Sequence, residues 1–131
     1  MSAALFTGTA VRFGVRADDG LSMSRGAVEE ALPAFLKRGG PVHSGHGRVQ
    51  VGKVISAEVT PAALIVKFEI TDPSAARLVE PDCFGSLSVG FKYSPKRDVH
   101  AGVLHGMDLL EISLADIPGC PGCQIHFPKT H

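Results

Sequence analysis

Ala63-Leu64-Ile65-Val66-Lys67-Phe68-Glu69-Ile70 decides the fold class. Val66, Phe68 and Ile70 alternate with Lys67 and Glu69, which is the period of a strand with one buried face. Thr60-Pro61-Ala62, just upstream, is a turn. Residues 49–59 precede it as a second strand, with Val49 and Val51 and then, after a small shift, Val54 and Ile55. Residues 85–93 and 107–114 read the same way, and residues 5–13 form an opening strand.

Helical signals are fewer. Ser24 stands where an N-cap belongs, before Gly26-Ala27-Val28-Glu29-Glu30-Ala31-Leu32. Glu29 and Glu30 suit its first turn. Pro33 should kink or restart this helix, and Arg38-Gly39-Gly40 should stop it. Asp72-Pro73 opens a short second helix over residues 75–79. Residues 97–106 read as a polar connection. The expectation is α+β: a β-rich small barrel or strongly curved, mainly antiparallel sheet with one or two flanking helices. Residues 1–131 make a single domain by length.

Composition narrows the function. Thirteen Lys plus Arg balance thirteen Asp plus Glu. A neutral chain has no general attraction for nucleic acid or for an anionic membrane, so neither is expected as a partner. Trp is absent and Tyr occurs once, which argues against large aromatic recognition surfaces. No apolar run approaches the roughly twenty residues of a membrane span. Residues 2–15 lack the basic start and apolar stretch of a signal peptide. A reducing, cytoplasmic setting follows as the expectation, with Cys120 and Cys123 as free thiols in a proline turn.

Three segments carry chemistry. Ser88 lies in Leu87-Ser88-Val89-Gly90-Phe91. Leu87, Val89 and Phe91 share one strand face; Ser86, Ser88 and Gly90 share the other, which is small and polar enough for a substrate backbone to approach. Ser86 competes with Ser88 as nucleophile. His43 and His46 lie in Pro41-Val42-His43-Ser44-Gly45-His46, ahead of a strand, and an imidazole is the usual base for a serine hydroxyl. Glu111 and Ser113 lie opposite Leu110, Ile112 and Leu114, so Glu111 could orient and stabilise the imidazole. Asp108, Asp116 and His105 are alternatives for that third place. Each residue also has an ordinary reading, as a solvated strand Ser, a loop His or an exposed strand Glu. Cys120-Pro121-Gly122-Cys123 with His126 and His131 has some likeness to a zinc knuckle, although the gap from Cys123 to His126 is short for a closed site.

Taken together, these segments resemble the tailed-phage prohead maturation proteases, whose fold is similar to that of the herpesvirus assemblin. The resemblance runs from about Leu5 to Phe127. Gly8-Thr9-Ala10-Val11-Arg12-Phe13-Gly14 looks like the family's opening strand, and Arg25-Gly26-Ala27-Val28 like the start of its helix. His46 with Val51-Gly52-Lys53-Val54 matches its histidine and following strand. Leu87-Ser88-Val89-Gly90-Phe91 matches its nucleophile strand. Leu110-Glu111-Ile112-Ser113-Leu114 and Pro118 match its ending. The chain departs from the pattern at Ser86, where the family often has Gly, and at Gly119-Cys120-Pro121, where it usually has Ala-Asn-Pro.

The resemblance implies a serine protease of virion maturation, a hydrolase acting by acyl transfer without cofactor or metal. Ser88 would be the nucleophile, His46 the base and Glu111 the acid; His46 fits the spacing to Gly52 better than His43 does. Substrates would be scaffold segments of the bacteriophage capsid protein and the protease itself, inside the assembling prohead in the host cytoplasm. Other prohead components would be partners, and homo-oligomerisation stays open. The competing readings are an inactive assembly module of the same fold and a small zinc-binding adaptor using Cys120, Cys123, His126 and His131.

Overall fold

The computed structural model describes residues 4–17, 19–45 and 49–127. Its elements in chain order are β1 (Ala4–Arg12), β2 (Ser22–Met23), α1 (Arg25–Lys37), β3 (Pro41–Ser44), β4 (Gln50–Val59), β5 (Ala63–Ile70), α2 (Pro73–Arg77), β6 (Ser86–Lys92), α3 (Pro95–Asp98), β7 (Val99–His100), β8 (Val103–Leu104) and β9 (Asp108–Ala115). Six strands build one strongly curled sheet in the order β1-β5-β4-β3-β9-β6. Every neighbouring pair in it is antiparallel except β3 with β9, which run parallel. This is the expected α+β class with a strongly curved sheet.

The two edge strands of the curl meet the same short segment. Gly8 of β1 bridges Ile125, and Ser86 of β6 bridges Gln124. The N–H of Leu87 donates to the Cys123 carbonyl at 2.9 Å, and the N–H of His126 donates to the Thr7 carbonyl at 2.8 Å. Residues 123–126 therefore supply main-chain partners to strands that would otherwise present open edges.

The core is continuous from the sheet to the long helix. Val66, Phe68, Val42, Ile112 and Leu114 are fully buried, with Val28 and Phe35 of α1 in the same cluster. Each such side chain contributes about 1.5–3 kcal/mol by leaving water. Ser24 caps α1 by accepting the Ala27 N–H at 3.1 Å. Glu29 and Glu30 fall beyond the first turn, contrary to expectation, and Glu29 pairs instead with Arg25 at 2.9 Å, one turn earlier. Pro33 neither ends nor restarts the helix, which runs on to Lys37. The carbonyl that loses its bond belongs to Glu29, which is exposed, so water can satisfy it. After the helix, the Arg38 guanidinium donates to the Leu109 carbonyl and ties its end to β9.

Several short elements were not expected, among them β2, β3, α3, β7 and β8. Residues 41–44 form β3, although they read as a loop before a strand. Residues 97–106 contain β7 and β8, which with β2 make a small three-stranded sheet. Asp98 anchors that region. Its carboxylate accepts from Arg97 Nε at 3.0 Å and from the Ser94 N–H at 2.7 Å. The bonds from Arg97 first, then the one from Ser94, hold it below the ordinary carboxylate range.

The alternation in β9 is also broken. Glu111 pairs with Gly90, but Leu109 pairs with Phe91, so Leu110 is the extra residue of a bulge. Leu109 is buried and Leu110 is exposed. The expected grouping of Leu110 with Ile112 and Leu114 is therefore corrected by one residue.

Cys120 and Cys123 are joined in a disulfide, with Cα atoms 5.4 Å apart. This overturns the expectation of free thiols: the Pro121-Gly122 turn brings the two side chains together, within the ordinary span of a disulfide. Both residues are buried. Among the described residues, no helix is long and apolar enough to cross a membrane.

Two outcomes follow from this architecture. A methyl group at Gly52 would overlap the Glu69 carbonyl oxygen in the β4–β5 pairing. Gly52→Ala should therefore cost roughly 2–3 kcal/mol, read as a lower midpoint in urea unfolding; an unchanged midpoint would mean the two strands can part there. The disulfide closes a loop of only four residues, so chain entropy limits its contribution to about 2 kcal/mol. Replacing Cys120 and Cys123 together with Ser should lower stability by no more than that in the same assay, and a larger loss would show that the loop holds more of the fold than its own turn.

Candidate active site

Strand pairing brings three residues into one row. Ser88 of β6 pairs with Ser113 of β9, and Ser113 pairs on its other side with His43 of β3. Residues paired across a ladder share a face, so Ser88, Ser113 and His43 point to the same side of the sheet. Glu111 and Gly90, two residues along in each strand and paired with one another, share it too. Neighbouring strands lie about 4.8 Å apart, which puts the Cα atoms of Ser88 and His43 about 10 Å apart. The residue between them is a serine, so a hydroxymethyl group and an imidazole leaning toward each other can span the gap.

Glu111 links the row. Its Oε2 lies 2.8 Å from Nδ1 of His43, and its Oε1 accepts from Ser113 Oγ at 3.1 Å. The contact with His43 lies at ion-pair distance but lacks the alignment of a hydrogen bond. The distance reports that the two groups meet; rotation of the ring is needed to make the bond. Both side chains are largely shielded from solvent, His43 at 16% and Glu111 at 28% relative exposure. The contacts of this cluster run through His43, Glu111 and Ser113, and none of them reaches Ser88.

The other candidates separate clearly. Ser86 is buried, paired with Ala115 on one side and bridged to Gln124 on the other. Ser88 lines an open cleft of about 410 Å³. Asp108 and Asp116 are exposed at and beyond the ends of β9. His105 lies between β8 and β9, with its N–H bonded to the Asp98 carbonyl. His46, assigned as base from its spacing to Gly52, lies outside the described residues.

Among the described residues, the C-terminal cluster offers no metal site. The sulfurs of Cys120 and Cys123 are bonded to each other and so offer no thiolate. His126 Nε2 is 2.9 Å from Thr9 Oγ1. His131 lies outside the described residues, and among those described no group of three or more His, Cys, Asp and Glu side chains could hold a metal ion. The zinc-adaptor reading is corrected accordingly.

Two glycines shape the site. At Gly90 a methyl group would lie 2.7 Å from Glu111 Cγ and 3.0 Å from its Oε1. At Gly119 it would lie 2.9 Å from Ser88 Oγ. The N–H of Gly119 donates to the Leu87 carbonyl at 3.1 Å, which seats the Pro118–Gly119 turn against the serine. The motif around Gly90 was visible in the sequence; the approach of Gly119 was not, because it joins loop to strand across thirty residues.

No protein-family model matches the chain, and no curated protein matches it significantly.

Gly90→Ala tests the geometry. The side chain it strikes is flexible, so the fold should persist while the Glu111 carboxylate is pushed off His43. Covalent labelling of Ser88 by a fluorophosphonate should slow by about a hundredfold, the scale of an ångström-sized misplacement, with little change in melting temperature. An unchanged labelling rate would detach Glu111 from any role at Ser88.

Proposed function

We propose that the protein is a serine endopeptidase of tailed-phage capsid maturation. The observation that carries this reading is the row Ser88–Ser113–His43 with Glu111 at 2.8 Å from His43. A nucleophile, a base and an acid share one sheet face, and the nucleophile lies at the rim of a cleft. The order of motifs along the chain, which resembles that family, supports the choice of family. The substrates would be scaffold segments of the capsid protein and the protease's own chain, met with other prohead components inside the assembling shell.

In this reading the base is His43, the described histidine that meets Glu111, ahead of His46. Glu111 holds the proton on Nδ1 and leaves Nε2 free as acceptor. Ser88 Oγ attacks the scissile carbonyl while Nε2 takes its proton. The resulting imidazolium is stabilised by the Glu111 carboxylate. As the tetrahedral intermediate collapses, the C–N bond breaks and Nε2 protonates the leaving amine. Water then enters, Nε2 takes its proton, and the ester to Ser88 is hydrolysed. Ser113 acts on the acid, fixing the carboxylate through Oε1.

Fluorophosphonate labelling of single variants tests the assignment. Wild-type protein should be labelled at Ser88, and Ser88→Ala should lose the label. His43→Ala should slow labelling by about 10⁴-fold or more, whereas His46→Ala should cost less than about tenfold. The reverse order would make His46 the base. Absence of label on the wild-type protein would favour the inactive assembly module.

A further inference from the structure

The cleft beside Ser88 is built for one kind of side chain. It lies between the end of β1, the outer edge of β6 and the small sheet. Its walls are Val11, Met23, Val89, Leu104, Ala115 and Ile117. Val11, Met23, Leu104 and Ala115 are themselves buried, so the walls are set by core packing.

Two charged side chains also border the cleft, and both are already engaged with main chain. The Arg12 guanidinium donates to the Pro121 carbonyl at 3.2 Å, and the Asp19 carboxylate accepts the Leu21 N–H at 2.9 Å. Both keep their charge and lie at the exposed border, whereas the buried walls are apolar: a charged side chain seated against those walls would lose water, while an apolar one would gain from burial. The volume, about 410 Å³, falls within the ordinary range of ligand sites and is ample for a large side chain.

We infer that this cleft is the specificity pocket for the residue that donates the scissile carbonyl, and that it selects a large apolar side chain such as Phe, Leu or Met. The inference rests on the serine-peptidase reading, because it needs Ser88 as the attacking atom. Ser88 itself lines the cleft, so the side chain of the residue whose carbonyl lies over Ser88 has the shortest path into it. Ile117 is the gate: it is 68% exposed at the mouth, where a substitution need not disturb the core.

Peptidyl diphenyl phosphonates that differ only in the side chain next to phosphorus test this. Ser88 Oγ bonds to phosphorus and phenoxide leaves, so the label reports both attack and pocket. Mass spectrometry should find the Phe and Leu compounds on Ser88 roughly tenfold to a hundredfold faster than the Ala, Lys or Asp compounds. Ile117→Asp should reduce the Phe-to-Ala rate ratio by about tenfold, with the melting temperature of the variant checked alongside. Labelling of Ser88 that ignores the side chain, or that favours Lys or Asp, overturns the pocket and leaves the hydrolase standing. No labelling by any of the compounds overturns the hydrolase and the pocket with it.

Discussion

The register of β9 is the constraint on which the site depends. This strand pairs in parallel with β3 and antiparallel with β6, and Ile112, Ser113 and Leu114 belong to both ladders. A slip of one residue in either ladder would send Ser88 or His43 to the opposite face. The register is held from the buried side: Ile112 and Leu114 are fully enclosed, with Val42 and Leu87 paired beside them. The bulge at Leu110 ends the regular alternation only after Glu111 has been delivered to the face that carries Ser88.

The second requirement is closure. The curled sheet has two edges, and residues 123–126 give main-chain partners to both β1 and β6. The same stretch continues from the Pro118–Cys123 loop, whose Gly119 rests on Ser88 and whose disulfide closes the Cys120–Cys123 turn. Fold closure and placement of Ser88 are thus parts of one short segment. Ser86 and Ser88, alike in sequence, are separated by it: the first is sealed under Gln124, and the second opens on the cleft.

Much of the fold was legible because one buried face leaves a period in the sequence. Val66, Phe68 and Ile70 declared β5, and Ser24 declared the start of α1. The shared face of Ser88 and Ser86, and that of Glu111 and Ser113, followed from the same alternation. What escaped was nonlocal. β3 has four residues, begins with Pro41 and contains His43 and Ser44, so nothing in it favours a strand until β4 and β9 flank it. With β3 read as a loop, His43 and His46 could be compared only by spacing. Leu110 was misplaced for a related reason, since a bulge is set by the partner strand. The disulfide was masked by the odd number of cysteines, a spacing unlike that of a disulfide scaffold and the expectation of a reducing setting.

The central claim is that Ser88 and His43 act together across Ser113. A crystal structure of the protein tests it by a single distance. The account predicts Ser88 Oγ and His43 Nε2 within about 3.2 Å, or joined by one water, with Nδ1 bonded to Glu111. Nε2 of His43 turned away from Ser88, with the His46 ring in its place, would contradict it.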